Sequence, residues 1–181
     1  TSTIMANILC NRKLSWWEKI KKFFGFKVIE REYGNVYSSR SVIKNQYINP
    51  NADSYYKVDV WGAVNEIISP YIEDGFTVYG EIVGYVPGSD KMIQKNHDYG
   101  CKRGEWKFMP YRITHTDELG NKYEFELYEV DEWTRNFVTD HPEIADKIMF
   151  LDIVYSGKLM DLYPDIPVIC RITKRHPDPP L

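Results

Sequence analysis

The most regular alternation of apolar and polar positions lies between Phe76 and Ile113. Runs rich in β-branched and aromatic residues begin at Phe76 and at Trp106, and such runs are typical of β-strands. A long polar loop joins the two predicted strands. Loops longer than about 12–15 residues inside a compact domain are usually functional or disordered. Aromatic residues in and beside this loop, among them Tyr85 and Tyr99, favour an ordered loop.

Glu81 is the only charged residue in the first predicted strand. The ordinary interpretation is a carboxylate that points to solvent from the wet face of an antiparallel sheet. Gly80 and Gly84 favour a different interpretation, because glycine in a strand often marks the close approach of a ligand or of another backbone. Glu81 is therefore a candidate binding residue.

The pattern along the rest of the chain predicts strands and helices that intermix without regular βαβ spacing. We therefore expect an α+β fold with mainly antiparallel sheets and packed helices. The predicted strands span 3–10, 28–30, 36–39, 123–128 and 148–153, and the predicted helices span 16–24, 54–68, 131–140 and 158–162. Strands 28–30 and 36–39 form a predicted hairpin that turns at Tyr33-Gly34-Asn35. Asp53 or Ser54 is the predicted cap of helix 54–68.

Helix 16–24 combines a strong start signal with an unusual composition. Ser15 and Glu18 form a capping box, and Gly25 is suited to end the helix. The aromatic residues are Trp16, Trp17, Phe23 and Phe24, and the lysines are Lys19, Lys21 and Lys22, with Arg12, Lys13 and Lys27 nearby. One interpretation is a surface for nucleic acid or anionic lipid. The commoner arrangement is a solvated lysine face above an aromatic stripe that packs in the core.

Arg40 follows strand 36–39 and stands among three serines. Its planar guanidinium could bind a phosphate or carboxylate with two parallel hydrogen bonds. The ordinary alternative is an exposed loop arginine.

Three features of the central stretch carry a resemblance to a known family. They are Tyr79-Gly80-Glu81, then Ile93-Gln94-Lys95-Asn96-x-Asp98-Tyr99, then an aromatic strand that ends at Tyr111. In this order they resemble the middle of the phage-type RNA ligases of the second family. These ligases are covalent nucleotidyltransferases, related to DNA ligases and mRNA capping enzymes.

The resemblance implies roles for individual residues. It implies that Glu81 contacts the ribose of ATP, that Tyr111 stacks on the adenine, and that Arg40 contacts the nucleotide. Thr1 and Ser2 are further nucleotide-binding candidates. The candidates for nucleic-acid contacts in the loop are Gln94, Lys95, Asn96, Lys102 and Arg103. Two positions depart from the family, because Ser2 stands where relatives have asparagine and Arg112 stands where they have an acidic residue.

The implied function is that of an ATP-dependent RNA (polynucleotide) ligase that uses Mg²⁺. Such a ligase forms a lysine-AMP intermediate and joins 5′-phosphate to 3′-hydroxyl ends of RNA or nicked nucleic acid. The family's lysine belongs to a Lys-x-Asp/His-Gly motif, which we expect just upstream of Thr1. This chain would then hold no catalytic residue and would be inactive alone. The alternative is a catalytically inactive nucleotidyltransferase-like module that binds nucleotide or nucleic-acid ends.

The resemblance also implies a domain organisation. We expect residues 1–163 to form a partial adenylation domain with a nucleotidyltransferase (ATP-grasp-like) core that is incomplete at both ends. Later family motifs are missing after Pro164. Residues 164–181 are rich in proline, and we expect them to form an extended tail.

The composition bears on the number of domains, on nucleic-acid binding and on membrane association. The 181 residues are 43% hydrophobic, which suffices for one domain with a real core. With 23 Lys+Arg against 26 Asp+Glu, any nucleic-acid surface must be local. No apolar run approaches the roughly 18 residues that span a membrane, and we expect a monomer with no membrane partner.

The three cysteines, Cys10, Cys101 and Cys170, are far apart and odd in number. We expect them to be reduced in the cytoplasm, or in a host's cytoplasm if the protein is encoded by a phage. The histidines are His97, His115, His141 and His176. They follow no metal-ligand spacing, so no protein metal site is predicted.

Overall fold

The computed structural model describes residues 1–39, 43–44 and 58–151. Within these ranges the strands are β1 (Ser2–Asn11), β2 (Arg31–Ser39), β3 (Ile43–Lys44), β4 (Phe76–Gly84), β5 (Trp106–Thr116) and β6 (Lys122–Glu124). The helices are α1 (Trp16–Phe23), α2 (Val60–Ile68) and α3 (Leu127–Asp140), with 3₁₀ helices at Ser69–Tyr71 and Pro142–Lys147. The strands pair antiparallel in one sheet, in the order β3-β2-β1-β4-β5-β6. The predicted α+β class with mainly antiparallel pairing is confirmed.

The hydrophobic core lies between one face of this sheet and the helices α2 and α3. Successive strand residues point to opposite faces, and Met5 of β1 and Val78 and Ile82 of β4 point into the core and are fully buried. Helix α2 contributes Val60, Trp61, Val64 and Ile68, and helix α3 contributes Val130 and Phe137. The opposite face of the sheet, which we call the open face, carries Glu81.

The two central strands are confirmed, and the glycines of β4 have a structural explanation. A Cβ atom at Gly80 would lie 2.2 Å from Cε2 of Phe108. Gly84 has a φ of +87°, and a Cβ atom there would lie 2.6 Å from the carbonyl oxygen of Glu105. Both glycines therefore allow the close approach of the protein's own atoms, so neither is an argument for a bound ligand.

The predicted hairpin at 28–39 is wrong. β2 passes through Tyr33-Gly34-Asn35 without a turn and pairs with β1, so that Gly34 lies opposite Ile8. Gly34 does not have the positive φ that a tight hairpin turn would need. The hydrogen-bonding edge of β1 overrides the local turn signal.

The start of α2 also differs from the prediction. The predicted caps Asp53 and Ser54 lie outside the described residues, and α2 begins at Val60 after Asp59. Asp59 accepts a hydrogen bond of 2.9 Å from the hydroxyl of Tyr37 on β2. Burial and this bond raise the pKa of Tyr37 to about 12. A tertiary contact thus anchors the start of the helix.

Helix α3 begins earlier than predicted, at Leu127 rather than at Asp131. Glu126 and Glu129 form a capping box at its start. This cap ends the preceding extended segment, so that the predicted strand 123–128 is reduced to β6.

Other sequence-based expectations concern residues outside the described ranges. These are Arg40, helix 158–162, tail 164–181 and Cys170. Of the predicted strand 148–153, the described part contributes one parallel bridge between Ile148 and Phe108. Cys10 and Cys101 are free thiols.

Helix α1 is capped as predicted, but its packing is not the commoner arrangement. The Ser15 hydroxyl accepts a bond of 3.3 Å from the N–H of Glu18, and the Glu18 carboxylate accepts one of 2.8 Å from the N–H of Ser15. Gly25 follows the helix with a φ of +80°. No residue of α1 is buried, so the predicted aromatic core stripe is wrong.

The capping box predicts a dependence on pH. Hydrogen bonds from the Ser15 backbone and hydroxyl, together with the Arg12 guanidinium, lower the pKa of Glu18 from 4.5 to about 2. Because the folded pKa is lowered, this stabilisation is present above pH 4.5 and is lost as the pH falls towards 2. NMR titration of the Glu18 carboxyl should give a midpoint near pH 2, and Ser15→Ala should raise it. An unchanged midpoint in Ser15→Ala would contradict the assignment.

The packing of Gly80 predicts a large cost for a single methyl group. We expect Gly80→Ala to lower the free energy of unfolding by about 1–3 kcal/mol, because the core would be overpacked against Phe108. Gly34→Ala on β2 is the matched control, since its Cβ would lie 3.9 Å from Sγ of Cys10, an ordinary contact. Urea unfolding measures the free energy of unfolding of each variant. Equal stabilities of the two variants would refute this account.

Candidate functional site

A row of side chains across β1, β4 and β5 brings together three of the predicted site residues. Ser2 lies opposite Glu81, which in turn lies opposite Met109. The Ser2 hydroxyl donates a hydrogen bond of 2.5 Å to Oε1 of Glu81, and the nitrogen of Thr1 lies 2.9 Å from Oε2. The Glu81 carboxylate therefore has two partners within the protein, one at each oxygen.

Glu81 also remains accessible on the open face. Its side chain is 34% exposed. A carboxylate has two oxygens with about four acceptor positions, and Ser2 and the Thr1 nitrogen occupy two of them. Glu81 can therefore accept hydrogen bonds from neighbouring hydroxyls, such as those of a ribose, while Ser2 fixes its orientation.

Tyr111 lies on the strand next to Glu81, at a β-bulge. Gly80 pairs with Pro110 and Tyr79 pairs with Arg112, so Tyr111 is an additional residue on β5. A bulge bends the strand and redirects a side chain, and Tyr111 is 38% exposed. The prediction that Tyr111 ends its strand is wrong, because β5 continues to Thr116.

The sequence contains a signal for this bulge that the strand pattern alone does not use. Phe108 and Ile113 both belong to the buried core, yet they are an odd number of residues apart. Strict alternation would place them on opposite faces. The additional residue at Tyr111 restores the pattern, and Pro110 fits such a position because proline has no N–H to donate.

Arg112 forms a second feature of this surface that the sequence analysis did not assign. Its guanidinium makes two hydrogen bonds to Glu124, of 2.7 and 2.8 Å, and lies 4.7 Å from the centre of the Tyr79 ring. The bond to Glu124 raises the pKa of Arg112, and the same bond lowers the pKa of Glu124. The positive charge is therefore held in place across β5 and β6.

The loop between β4 and β5 is ordered, and it uses part of its polar chemistry for its own fold. Tyr99 donates a bond of 2.7 Å to the side-chain oxygen of Gln94. Asn96 has a φ of +61°, a conformation that asparagine tolerates better than most residues. Arg103 forms an ion pair of 2.7 Å with Asp90. These contacts give Gln94, Asn96 and Arg103 structural roles.

The loop packs beside the candidate site. Tyr85 and Cys101 form a small buried cluster with Val83, the next residue after Glu81 on the open face of β4. The remaining loop candidates, Lys95 and Lys102, are exposed. Neither lysine forms a hydrogen bond or ion pair with Ser2 or Glu81.

Of the predicted site, Arg40 lies outside the described residues. Ser39, the last residue of β2, lies opposite Thr3 of β1. Among residues 1–39 and 58–151, no group of three or more His, Cys, Asp or Glu side chains could hold a metal ion.

The fold and site define an α+β protein with a polar row on the open face of an antiparallel sheet. The chain matches no protein-family model, no curated protein and no solved structure.

The left-handed backbone at Asn96 predicts a difference between two substitutions. Asn96→Val should strain the loop by about 1–2 kcal/mol, whereas Asn96→Gly should be tolerated. Cys101 reports loop opening, because its thiol is buried and burial raises its pKa. We expect labelling of Cys101 by a thiol reagent, followed by peptide mass spectrometry, to be roughly five- to thirtyfold faster in Asn96→Val only. Equal rates in the two variants would show that the loop does not require this conformation.

Proposed function

We propose that this chain forms part of an ATP-dependent RNA ligase, a covalent nucleotidyltransferase that seals 5′-phosphate to 3′-hydroxyl ends through a lysine-AMP intermediate. The observation that carries the proposal is the row that joins Ser2 and Glu81 on the open face, with Tyr111 on the adjacent strand. The resemblance to the ligase family implies nucleotide-binding roles for these three residues. These residues are far apart in sequence, and the pairing of β1, β4 and β5 brings Ser2 opposite Glu81 and Tyr111 onto the neighbouring strand.

Each residue has a defined task in this proposal. The Glu81 carboxylate accepts hydrogen bonds from the ribose hydroxyls, and the Ser2 hydroxyl holds that carboxylate in position. The ring of Tyr111 covers one face of the adenine. This stacking contact uses the π-face of the base, which every base has, so it does not by itself select adenine. Arg112, which replaces an acidic residue of the family, is neutralised by Glu124 and so does not add a free positive charge beside the base.

Magnesium would be held mainly by the substrate in this site. Mg²⁺ takes six oxygen ligands and is commonly bound through one or two carboxylates, water and substrate phosphates. The carboxylate of the row, Glu81, is assigned to the ribose, so phosphate oxygens and water would supply the ligands of the ion. When bound, the ion neutralises charge on the phosphates.

The nucleotide site predicts the effect of two substitutions. In the protein expressed from its full reading frame, Glu81→Ala and Tyr111→Ala should each weaken ATP binding by about tenfold, because a bond to a charged group or a stacking contact is worth roughly 1–3 kcal/mol. Isothermal titration calorimetry measures the effect. Glu118→Ala and Tyr128→Ala are matched controls at exposed positions away from the row. Unchanged binding in both site variants would refute the assignment of Glu81 and Tyr111 to a nucleotide site.

The covalent step is tested by intact mass. The protein from the full reading frame is incubated with ATP and magnesium, and we expect an AMP-sized adduct that pyrophosphate removes. If no adduct forms but the site variants still lose ATP binding, the inactive nucleotide-binding module is the better description. If neither occurs, both versions of the proposal fail.

A further inference from the structure

Helix α1 and the turn after it expose an unusual group of apolar side chains. We call this group the α1 face, and its members are Trp16, Trp17, Phe23, Phe24, Phe26 and Ile29, each between 66 and 86% exposed. Trp16 packs edge-on against Trp17, and Phe23 packs edge-on against Phe24. A concentration of exposed apolar side chains of this kind marks a binding surface for a protein or a membrane.

The apolar and charged residues of α1 lie on different sides of the helix. Positions 16, 20, 23 and 24 are all apolar and follow the spacing of one helical face. Glu18, Lys19, Lys21 and Lys22 occupy the remaining directions. An amphipathic helix with Trp and Phe on one side and lysine on the other is typical of helices that lie in a membrane interface.

The charge of this segment is opposite to that of the whole chain. Residues 12–27 contain six basic side chains and one acidic one, whereas the chain as a whole has a net charge of −3. Arg12 pairs with Glu18, and Lys22 pairs with Glu30. Within the described part of the chain, Lys13, Lys19, Lys21 and Lys27 form no ion pair, so their charge is available to an anionic partner.

The geometry excludes a spanning orientation for α1. Its eight residues extend only about 12 Å, against a hydrocarbon thickness of about 30 Å. No helix in the described ranges is both long and apolar enough to cross a membrane. A short helix of this type can enter a bilayer only by lying parallel to its surface.

The connection to β1 and β2 presents this helix in a fixed position. The backbone N–H of Arg12 donates a bond of 2.9 Å to the carbonyl of Glu30, and its Nε donates one of 3.3 Å to the carbonyl of Ile29. The Arg12 guanidinium also bonds the Glu18 carboxylate. Arg12 thus ties the helix to both strands, so α1 does not need to fold when it binds.

We propose that the α1 face is an in-plane binding surface for anionic lipid bilayers. The aromatic side chains enter the interfacial region, and the four unpaired lysines contact anionic headgroups. This departs from the expectation of no membrane partner, which depended only on the lack of a spanning run. The inference is independent of the proposed ligase function.

Nucleic acid is the competing partner, and the arrangement of the side chains favours lipid. Single-stranded nucleic acid binds where aromatic rings and cations line the same groove, so that bases stack while phosphates pair. On α1 the rings form one apolar face and the lysines lie on the other side. This separation matches the division of a bilayer into hydrocarbon and headgroups.

The test is binding to vesicles of defined composition. The protein is sedimented with vesicles of phosphatidylcholine alone and of phosphatidylcholine with phosphatidylserine, at low and high salt. We expect at least tenfold tighter binding to the anionic vesicles, weakened by salt, and a blue shift of tryptophan fluorescence. Trp16→Ser with Phe23→Ser should abolish binding, and Lys19→Gln with Lys21→Gln should reduce the preference for anionic lipid.

Matched controls distinguish binding through the α1 face from nonspecific adsorption to vesicles. Leu119→Ser with Tyr128→Ser changes two exposed apolar residues elsewhere, 88 and 67% exposed, and should leave vesicle binding unchanged. Circular dichroism checks that each variant is folded. Equal loss in the control pair, or no binding to anionic vesicles by the native protein, would overturn the proposal.

Two further measurements test RNA and a second copy of this chain as alternative partners of the α1 face. Binding of a fluorescent single-stranded RNA is followed by anisotropy, and the oligomeric state is measured by ultracentrifugation. If the Trp16 and Phe23 substitutions weaken RNA binding or dissociate a dimer while vesicle binding is unaffected, the α1 face serves that partner and the lipid proposal is wrong.

Discussion

The pairing of β1 with β4 is the constraint on which the rest of the described structure depends. These strands are separated in the chain by α1, β2, β3 and α2, yet they lie side by side at the centre of the sheet. The pairing puts Met5 opposite Val78 in the core and Ser2 opposite Glu81 on the open face. A slip of one residue would reverse both faces. The register that buries the apolar residues therefore also assembles the polar row.

A second constraint acts on β5, where the alternation of core-facing and outward-facing residues shifts by one position. Phe108 packs over Gly80, and Ile113 is also buried. The bulge at Tyr111 allows Phe108 and Ile113 to face the core together. Tyr111 is the additional residue and does not pair in the regular ladder. The residue displaced in this way is the one that the proposed nucleotide site uses. Core packing and the candidate site are thus consequences of the same irregularity.

Strand β1 connects two surfaces of different chemistry. Its first residues form the polar row with Glu81, and its last residues lead into α1. At about 3.3 Å per residue, the strand spans roughly 30 Å between Ser2 and Asn11. Neither surface contributes to the core, so each can change without loss of the packing between the sheet and the helices α2 and α3.

The sequence by itself determined the features that depend on neighbours along the chain. Alternation located β4 and β5, and the Ser15 and Glu18 capping box located α1, because strand periodicity and helix caps are satisfied within a few residues. The tertiary structure alone decided that Gly34 lies in a strand, that Glu81 bonds Ser2, and that the aromatic side of α1 faces outward. An amphipathic pattern is the same whether its apolar side meets a core or a partner, and a glycine is compatible with both turn and strand. Only the surfaces that fold against these segments distinguish the alternatives.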